Sequence, residues 1–242
     1  MKILVAVPSY NRPYDIMKRT SRWIKRLETD WRVFVEPQQM RYYLQNFTRE
    51  QLVATAAGIG VSGQMRHICR YATEHGYDYV FKVDDDMNFK KSGTKVEQSA
   101  EIVEEFFAEC AKLIGQVGDV GAFIMAKPIE YLHRNGVMWK LRHKTLYGNA
   151  LAKTEFFDLP EGLKLSADII VGLNARLSGL PMYTYQFAHE DAIAWTNPGG
   201  CQSFDRFKAT EEDLRILRER YPLIRQTLNK GRADIDVTAY FD

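Results

Sequence analysis

The run Tyr77-Asp78-Tyr79-Val80-Phe81-Lys82-Val83 ends abruptly in three adjacent carboxylates, Asp84-Asp85-Asp86. Apolar, strand-forming residues stopped by acids predict a buried strand with a charged exit. Three neighbouring acids repel one another, so a fold that keeps them needs a compensating cation. Along a strand or its exit, alternate side chains point the same way. Asp84 and Asp86 are therefore expected to reach one metal ion, while Asp85 turns inward to a backbone or basic partner. Hard oxygen ligands favour Mg2+ or Mn2+. The competing reading is a polar turn after a buried strand.

The chain before the acids alternates strand and helix. Residues 3–7 read as a buried aliphatic strand. Ser9-Tyr10-Asn11-Arg12-Pro13 is a loop, with Asn11 as N-cap and Pro13 in the first helical turn. Ile16, Thr20, Trp23, Ile24 and Leu27 carry helical spacing to about residue 28. A strand over 31–35, a short helix over 39–46 and a short strand at 52–54 follow. A glycine turn at 58–63 feeds a helix from about 64 to 74, then the strand 78–83. This β-α-β-α-β order predicts an α/β fold with a mostly parallel central sheet flanked by helices.

Beyond the acids, residues 95–117 form a long amphipathic helix, 119–125 a strand, 166–178 a helix, and 182–187 a strand. Residues 137–141 and 146–153 are strand-like pieces in a stretch that is harder to read. A basic helix over 211–229 precedes a tail. The 242 residues suit one domain in two lobes that share one sheet, residues 1–125 and a smaller lobe over 126–242.

A net charge of +2 announces no global nucleic-acid binder, so any such role falls to local patches. Cys69, Cys110 and Cys201 are far apart and odd in number, which fits a reducing compartment. The first strand is too short for a signal segment, and no stretch is long enough to span a bilayer. A soluble cytoplasmic protein without a membrane partner is the expectation.

Ligands of open α/β sheets bind beyond the carboxyl ends of the strands. Four candidate places lie there: the loop 8–12, Glu36-Pro37, the glycine turn and the acids. No Gly-Lys-Ser follows the glycine turn. It offers a helix N-terminus capped by Ser62, with Arg66 and Arg70 on one face, which suits a diphosphate. The alternative is a tight turn with solvated arginines.

Three of these segments together carry a family resemblance. Val5-Ala6-Val7-Pro8-Ser9-Tyr10-Asn11-Arg12-Pro13 resembles the opening strand and loop of GT-A type glycosyltransferases. Gly60-Val61-Ser62-Gly63-Gln64-Met65-Arg66-His67 resembles their Gly-x-Ser-x-x-x-Arg turn, and Val80-Phe81-Lys82-Val83-Asp84-Asp85-Asp86 their DxD strand. The resemblance covers residues 1–90 well and the rest loosely. It implies a GT-A fold and a nucleotide-diphosphate sugar as donor, with uridine diphosphate favoured. Residues 1–125 would form the nucleotide-sugar-binding lobe and 126–242 the acceptor side. Pro8, Tyr10, Asn11, Arg12 and Glu36 would flank the donor base and ribose, Asp84 and Asp86 would bind the metal, and Asp85 would face the fold or, as a second catalytic candidate, the sugar.

Later pieces match the resemblance more loosely. Asp168, at the start of a helix, is a candidate general base for an acceptor hydroxyl; as an acid in the first turn it would also stabilise the helix dipole. The family pattern has Glu-Asp there, where this chain has Ala167-Asp168. His189 is a candidate third metal ligand, and an imidazole suits Mn2+. The Gly199-Gly200 turn would let backbone N–H groups approach phosphate, or is simply a turn.

The acceptor is read from residues 127–153, where Arg134, Lys140, Arg142 and Lys144 interleave with Trp139. Basic residues with aromatic neighbours grip phosphates and stack on an exposed base. Solvated, acid-balanced faces are the competing reading. The segments at Pro8, Gly60 and Asp84 also look similar to bacteriophage DNA-base glycosyltransferases related to TET/JBP-associated glycosyltransferases. That likeness implies transfer to a hydroxymethylated pyrimidine, such as hydroxymethylcytosine, in DNA. A cell-envelope glycan, lipid or protein acceptor, and a non-catalytic nucleic-acid-binding module, are the alternatives. A nucleotidyltransferase would need a glycine-rich first loop, and residues 8–13 contain no glycine.

Overall fold

A computed structural model describes residues 1–91, 93–132, 136–146, 148–165, 167–192, 205–229 and 232–241. Its first half runs β1 (Ile3–Pro8), α1 (Pro13–Lys18), α2 (Thr20–Ile24), β2 (Trp31–Val35), α3 (Met40–Tyr43), β3 (Leu52–Ala54), α4 (Gly60–Glu74), β4 (Tyr79–Lys82) and β5 (Met87–Lys90). Then come α5 (Ser99–Val117), β6 (Ala122–Ala126), α6 (Pro128–Leu132), β7 (Trp139–Leu141), β8 (Ala150–Lys153), α7 (Ala167–Leu177) and β9 (Met182–Ala192). The chain closes with α8 (Arg206–Arg220), β10 (Arg225–Asn229) and β11 (Arg232–Asp236).

One large sheet has the order β3-β2-β1-β4-β8-β6-β9-β5, with β7 on β9; β10 and β11 form a separate hairpin. The strands β3, β2, β1 and β4 are all parallel. The aliphatic run of β1 explains its central place: a parallel strand covered on both faces needs no polar side. Its residues alternate between two cores. Ile3, Val5 and Val7 pack with Trp23 of α2 and Phe106 of α5, whereas Leu4 and Ala6 pack with Met65 of α4, Leu173 of α7 and Leu217 of α8. Helices on both faces thus follow from one strand's alternation, as the α/β reading expects.

The second half joins the sheet differently. β8 lies antiparallel between β4 and β6, β6 and β9 are parallel, and β5 and β7 run antiparallel to β9. The strand β5, directly after the acids, was not expected from sequence. Its pairing partner β9 lies a hundred residues away, beyond the reach of any local pattern.

Three boundaries differ from the sequence reading. The helix expected over 13–28 breaks at Arg19, which has φ −131° and ψ −85°. The break turns the Thr20 hydroxyl inward, where it donates to the Asp84 carbonyl at 2.9 Å and accepts from the Met87 N–H at 3.0 Å. The helix expected from Gln64 begins at Gly60, so Ser62 sits inside its first turn instead of capping it. The helix expected over 211–229 is α8, capped by the Asp205 carboxylate on Phe207 and Lys208 N–H, and it ends before Pro222. The expected tail is the β10–β11 hairpin instead. Among the described residues, no helix is long and apolar enough to cross a membrane.

Candidate active site

Because β1, β2, β3 and β4 are parallel, their carboxyl ends share one edge of the sheet. Ser9, Glu36, Thr55 and the acids emerge there. The acids alternate in burial as their spacing predicts. Asp85 is only 4% exposed, while the Asp84 and Asp86 side chains are 41% and 19% exposed.

Asp85 faces the fold. Ser9 Oγ donates to its Oδ2 at 2.6 Å, and Arg12 Nη1 lies 3.3 Å from its Oδ1. Ser9 Oγ is also 2.7 Å from the Tyr43 hydroxyl, which accepts the Arg12 backbone N–H at 3.3 Å. A serine has one proton, so with Ser9 donating to Asp85, Tyr43 donates to Ser9. Burial pushes the Asp85 carboxyl up to about 7, against the pull of Ser9 and Arg12 and with the push of Asp86 and Asp84. Burial likewise raises Tyr43 to about 12, so its hydroxyl keeps its proton. The network pins the loop after β1 to the acid turn.

Protein cations compensate the flanking acids. Arg12 Nη1 lies 3.7 Å from Asp86 Oδ2, and Lys82 Nζ is 2.6 Å from Asp84 Oδ1. For Asp84, burial raises the carboxyl pKa, but the charge and hydrogen bond of Lys82, helped by Lys127 and Arg12, win and lower it. The Asp84 N–H donates to Asn149 Oδ1 at 2.8 Å. Asn149 Nδ2 donates in turn to Glu190 Oε1 at 3.1 Å, and Glu190 pairs with Lys127. Burial raises the Glu190 pKa despite both partners. A bridge of side chains therefore runs from the end of β4, past the start of β8, to β9.

Asp168 lies in the first turn of α7 and accepts the Gly148 N–H at 2.8 Å. Gly148 has φ +74°, a backbone conformation that favours glycine, and a Cβ there would sit 3.0 Å from the flexible tip of Lys127. A cavity of about 30 Å3 opens beside it, lined by Lys82, Gly148 and Asp168 together with Val61, Met65 and Ala167.

The remaining sequence candidates distribute as follows. Pro8 ends β1, Tyr10 is half exposed, and Asn11, at φ +56°, donates its N–H to Gln39 Oε1 at 2.7 Å. Glu36 is buried and accepts the Gly58 N–H at 2.9 Å and the Gln38 amide, so it holds the glycine turn. Ser62 donates to the Leu163 carbonyl at 3.0 Å, where a cap to its own helix was expected. Arg66 pairs with Glu161 at 2.5 Å and so turns toward the loop before α7.

His189 pairs with Lys90 in the β5–β9 ladder, whereas Met87, next to the acids, pairs with Ala192. Three residues of strand separate them, about 10 Å. The His189 ring packs on Tyr131 at 4.7 Å, and its neighbour Glu190, on the other face, is the one that reaches the acid turn through Asn149. Among the described residues, no group of three or more His, Cys, Asp or Glu side chains is arranged to hold a metal.

Two members of the expected nucleic-acid set are built into the fold. Trp139 is partly buried and packs against Phe106, Phe123, Tyr183 and Tyr185, so its ring is engaged with the core. Arg142 is 7% exposed and donates twice to the Thr145 carbonyl, at 3.1 and 2.8 Å, and once to Thr184 Oγ1. Lys140 and Lys144 are exposed. Arg134, Gly199 and Gly200 lie outside the described residues.

Sequence reasoning missed Lys82, Asn149, Lys127 and Glu190. Lys82 had a signal, since it stands two residues before Asp84 on one strand and faces the same way. The other three stand just after β6 (Lys127), just before β8 (Asn149) and in β9 (Glu190), and nothing local in the sequence ties them to the acids.

No protein-family model matches the chain, and no curated protein matches it by sequence. Solved structures do share its fold. A mycobacterial protein superposes with a TM-score of 0.56 at 11% identity over 97% of this chain and 83% of that one. GalNAc-T7, crystallised with UDP, GalNAc and Mn2+, gives 0.55 at 8% identity over 90% of this chain and 48% of its own. S. aureus TarS gives 0.51 at 15% identity over 77% of this chain. The chain spans 35% of that TarS chain and 58% of a shorter TarS structure. At such identities the likeness is one of fold: the chain has the α/β fold, a large central sheet flanked by helices, of the GT-A glycosyltransferase structures TarS and GalNAc-T7.

Proposed function

We propose that the chain is a metal-dependent glycosyltransferase that moves a sugar from a nucleotide-diphosphate sugar to a hydroxyl acceptor. The observation that carries this reading is the acid turn: a buried Asp85 between part-exposed Asp84 and Asp86, at the carboxyl edge of the parallel strands β1 to β4 in a GT-A fold. The donor set fits Mg2+ or Mn2+. These ions are held through one or two carboxylates, with substrate phosphates and water completing the shell. Asp84 and Asp86, the part-exposed acids on either side of the buried Asp85, each now paired with a protein cation, meet that description. A bound divalent ion would neutralise charge developing on the departing diphosphate.

The chain's own residues supply the rest. Asp84 and Asp86 hold the metal, and Asp85 fixes Ser9 and Arg12 so that the loop after β1 can receive the donor base. Tyr10, half exposed, presents its ring from that loop. Asp168 keeps one oxygen on the Gly148 N–H and takes the acceptor hydroxyl's proton with the other. Residues 1–125 bind the nucleotide sugar, uridine diphosphate being the favoured nucleotide, and residues 126–242 form the acceptor side. His189 drops from the metal set in this reading, because its register carries it away from the acids. Among acceptors, a hydroxymethylated pyrimidine in DNA is favoured by the exposed Lys140 in β7 and Lys144 just after it.

The test is Mn2+-dependent hydrolysis and transfer from a panel of nucleotide sugars, with hydroxymethylcytosine DNA among the acceptors and mass as the readout. Asp86→Ala should lower the rate at least about 100-fold. A variant as active as wild type would remove the metal site, and the absence of any mass increase on DNA would remove that acceptor.

A further inference from the structure

Lys82 and Asp84 project from the same side of the β4 exit, and their contact is close, with Nζ 2.6 Å from Oδ1. The lysine side chain is only 12% exposed, so the ammonium is set into the site and not waving above it. An ammonium and a divalent ion on one carboxylate stand within a few ångströms and repel each other. The displaced group also has a destination. Lys82 and Asp168 line the same cavity of about 30 Å3, with the Gly148 backbone between the acid turn and α7. A lysine stem is long and flexible enough to turn from one carboxylate to the other.

We infer that Lys82 is the resident counter-cation of Asp84, which a divalent metal must displace, and that the displaced ammonium turns to Asp168. The inference rests on the metal-site reading of Asp84 and Asp86. Loading of the donor side is then communicated to the acceptor side by one side chain, and apparent metal affinity is set partly by an internal competitor.

Mn2+ binding to the full chain, followed by calorimetry and by the electron paramagnetic resonance of free Mn2+, tests this without any turnover. Lys82→Met should bind Mn2+ at least about threefold tighter than wild type, the fold-change that a partly exposed ion pair is worth. Lys82→Arg, which keeps the charge, should not tighten binding. Asp168→Asn, which keeps an acceptor for the Gly148 N–H, should weaken Mn2+ binding because the ammonium loses its second partner. Near-UV circular dichroism checks that each variant is folded, and Lys82→Gln replaces Lys82→Met if that variant is not. Equal or weaker Mn2+ binding by the folded charge-removing variant, with wild type binding normally, overturns the inference and leaves the glycosyltransferase reading standing. If neither protein binds Mn2+, with or without UDP, the metal-site reading falls and this inference with it.

Discussion

The acid turn and the segment 127–153 both set cations against carboxylates, yet they use them in opposite ways. At the acid turn, Arg12 and Lys82 neutralise Asp86 and Asp84 while leaving both acids part-exposed, at 19% and 41%. In the second region the charges close on themselves. Lys127 pairs with a buried Glu190, and Arg142 spends its guanidinium on the Thr145 carbonyl and Thr184, with Glu130 Oε1 a further 3.6 Å partner. The first arrangement keeps a face open for a ligand. The second is a seam that fastens the joints between β7, β8 and β9. Similar residue types do both jobs, and what separates them is where the cations go: onto part-exposed acids at the turn, chiefly onto buried acceptors in the seam.

The largest expected effect probes the one acid in the turn that behaves like the seam. Asp85 is held near 7 in the folded state against an ordinary value of 3.8. Its folded form thus binds the proton more tightly than its unfolded form, and unfolding releases it. Stability from this group is fully present below about pH 4 and is lost as pH rises through about 7. The Asp85→Asn variant stays neutral and has no such slope. The difference in unfolding free energy between variant and wild type should shift by a few kcal/mol in favour of the variant between pH 4 and pH 8. Urea denaturation at a series of pH values measures it. A pH-independent difference would mean that Arg12 holds Asp85 ionised throughout, and the contrast between buried and open acids would lose its electrostatic basis.

The same contrast explains what was legible in the chain. The strands β1 to β4 and the alternation of the acids follow from local periodicity, since a parallel strand flanked by helices is apolar along its length. The placement of Thr20 against the acid turn was hidden, because a helix broken at Arg19 reads as one continuous helical spacing. Asn149 and Glu190 were hidden for a different reason. They reach the acid turn only through the antiparallel insertion of β8 and the length of β9, and strand order across long separations leaves no trace in local pattern. The basic character of 127–153 was visible, but burial decided its use: Arg142 stands beside an edge strand as a surface cation would, yet turns into the seam.

Arg142→Ala tests the seam with the next largest effect. The change strips the buried Thr145 carbonyl of two donors and Thr184 of one. An unsatisfied buried acceptor costs about 1–3 kcal/mol, so a loss near 2 kcal/mol is expected in chemical denaturation. Arg142→Lys should recover little of it, because a single ammonium cannot reproduce the fork that grips one carbonyl with two nitrogens. A loss below 0.5 kcal/mol would place Arg142 with the solvated charges after all.

The exposed neighbours should do the reverse. Lys140 and Lys144 stand on either side of Arg142 in sequence and face solvent. Lys140→Glu combined with Lys144→Glu should change stability by less than about 0.5 kcal/mol, as surface substitutions usually do. Their effect belongs to binding instead. If this face meets the phosphates of a DNA acceptor, removing two contacts lowers the slope of log affinity against log salt by about 2, and reversing the charges weakens binding further at low salt. Fluorescence anisotropy with labelled DNA at several salt concentrations reads both quantities. A double variant that keeps its stability and its salt slope would leave the face solvated and direct the search toward a non-nucleic acceptor. One that loses stability as Arg142→Ala does would show that the seam extends to the surface, and the distinction between the two regions would have to be redrawn around Asp84 and Asp86 alone.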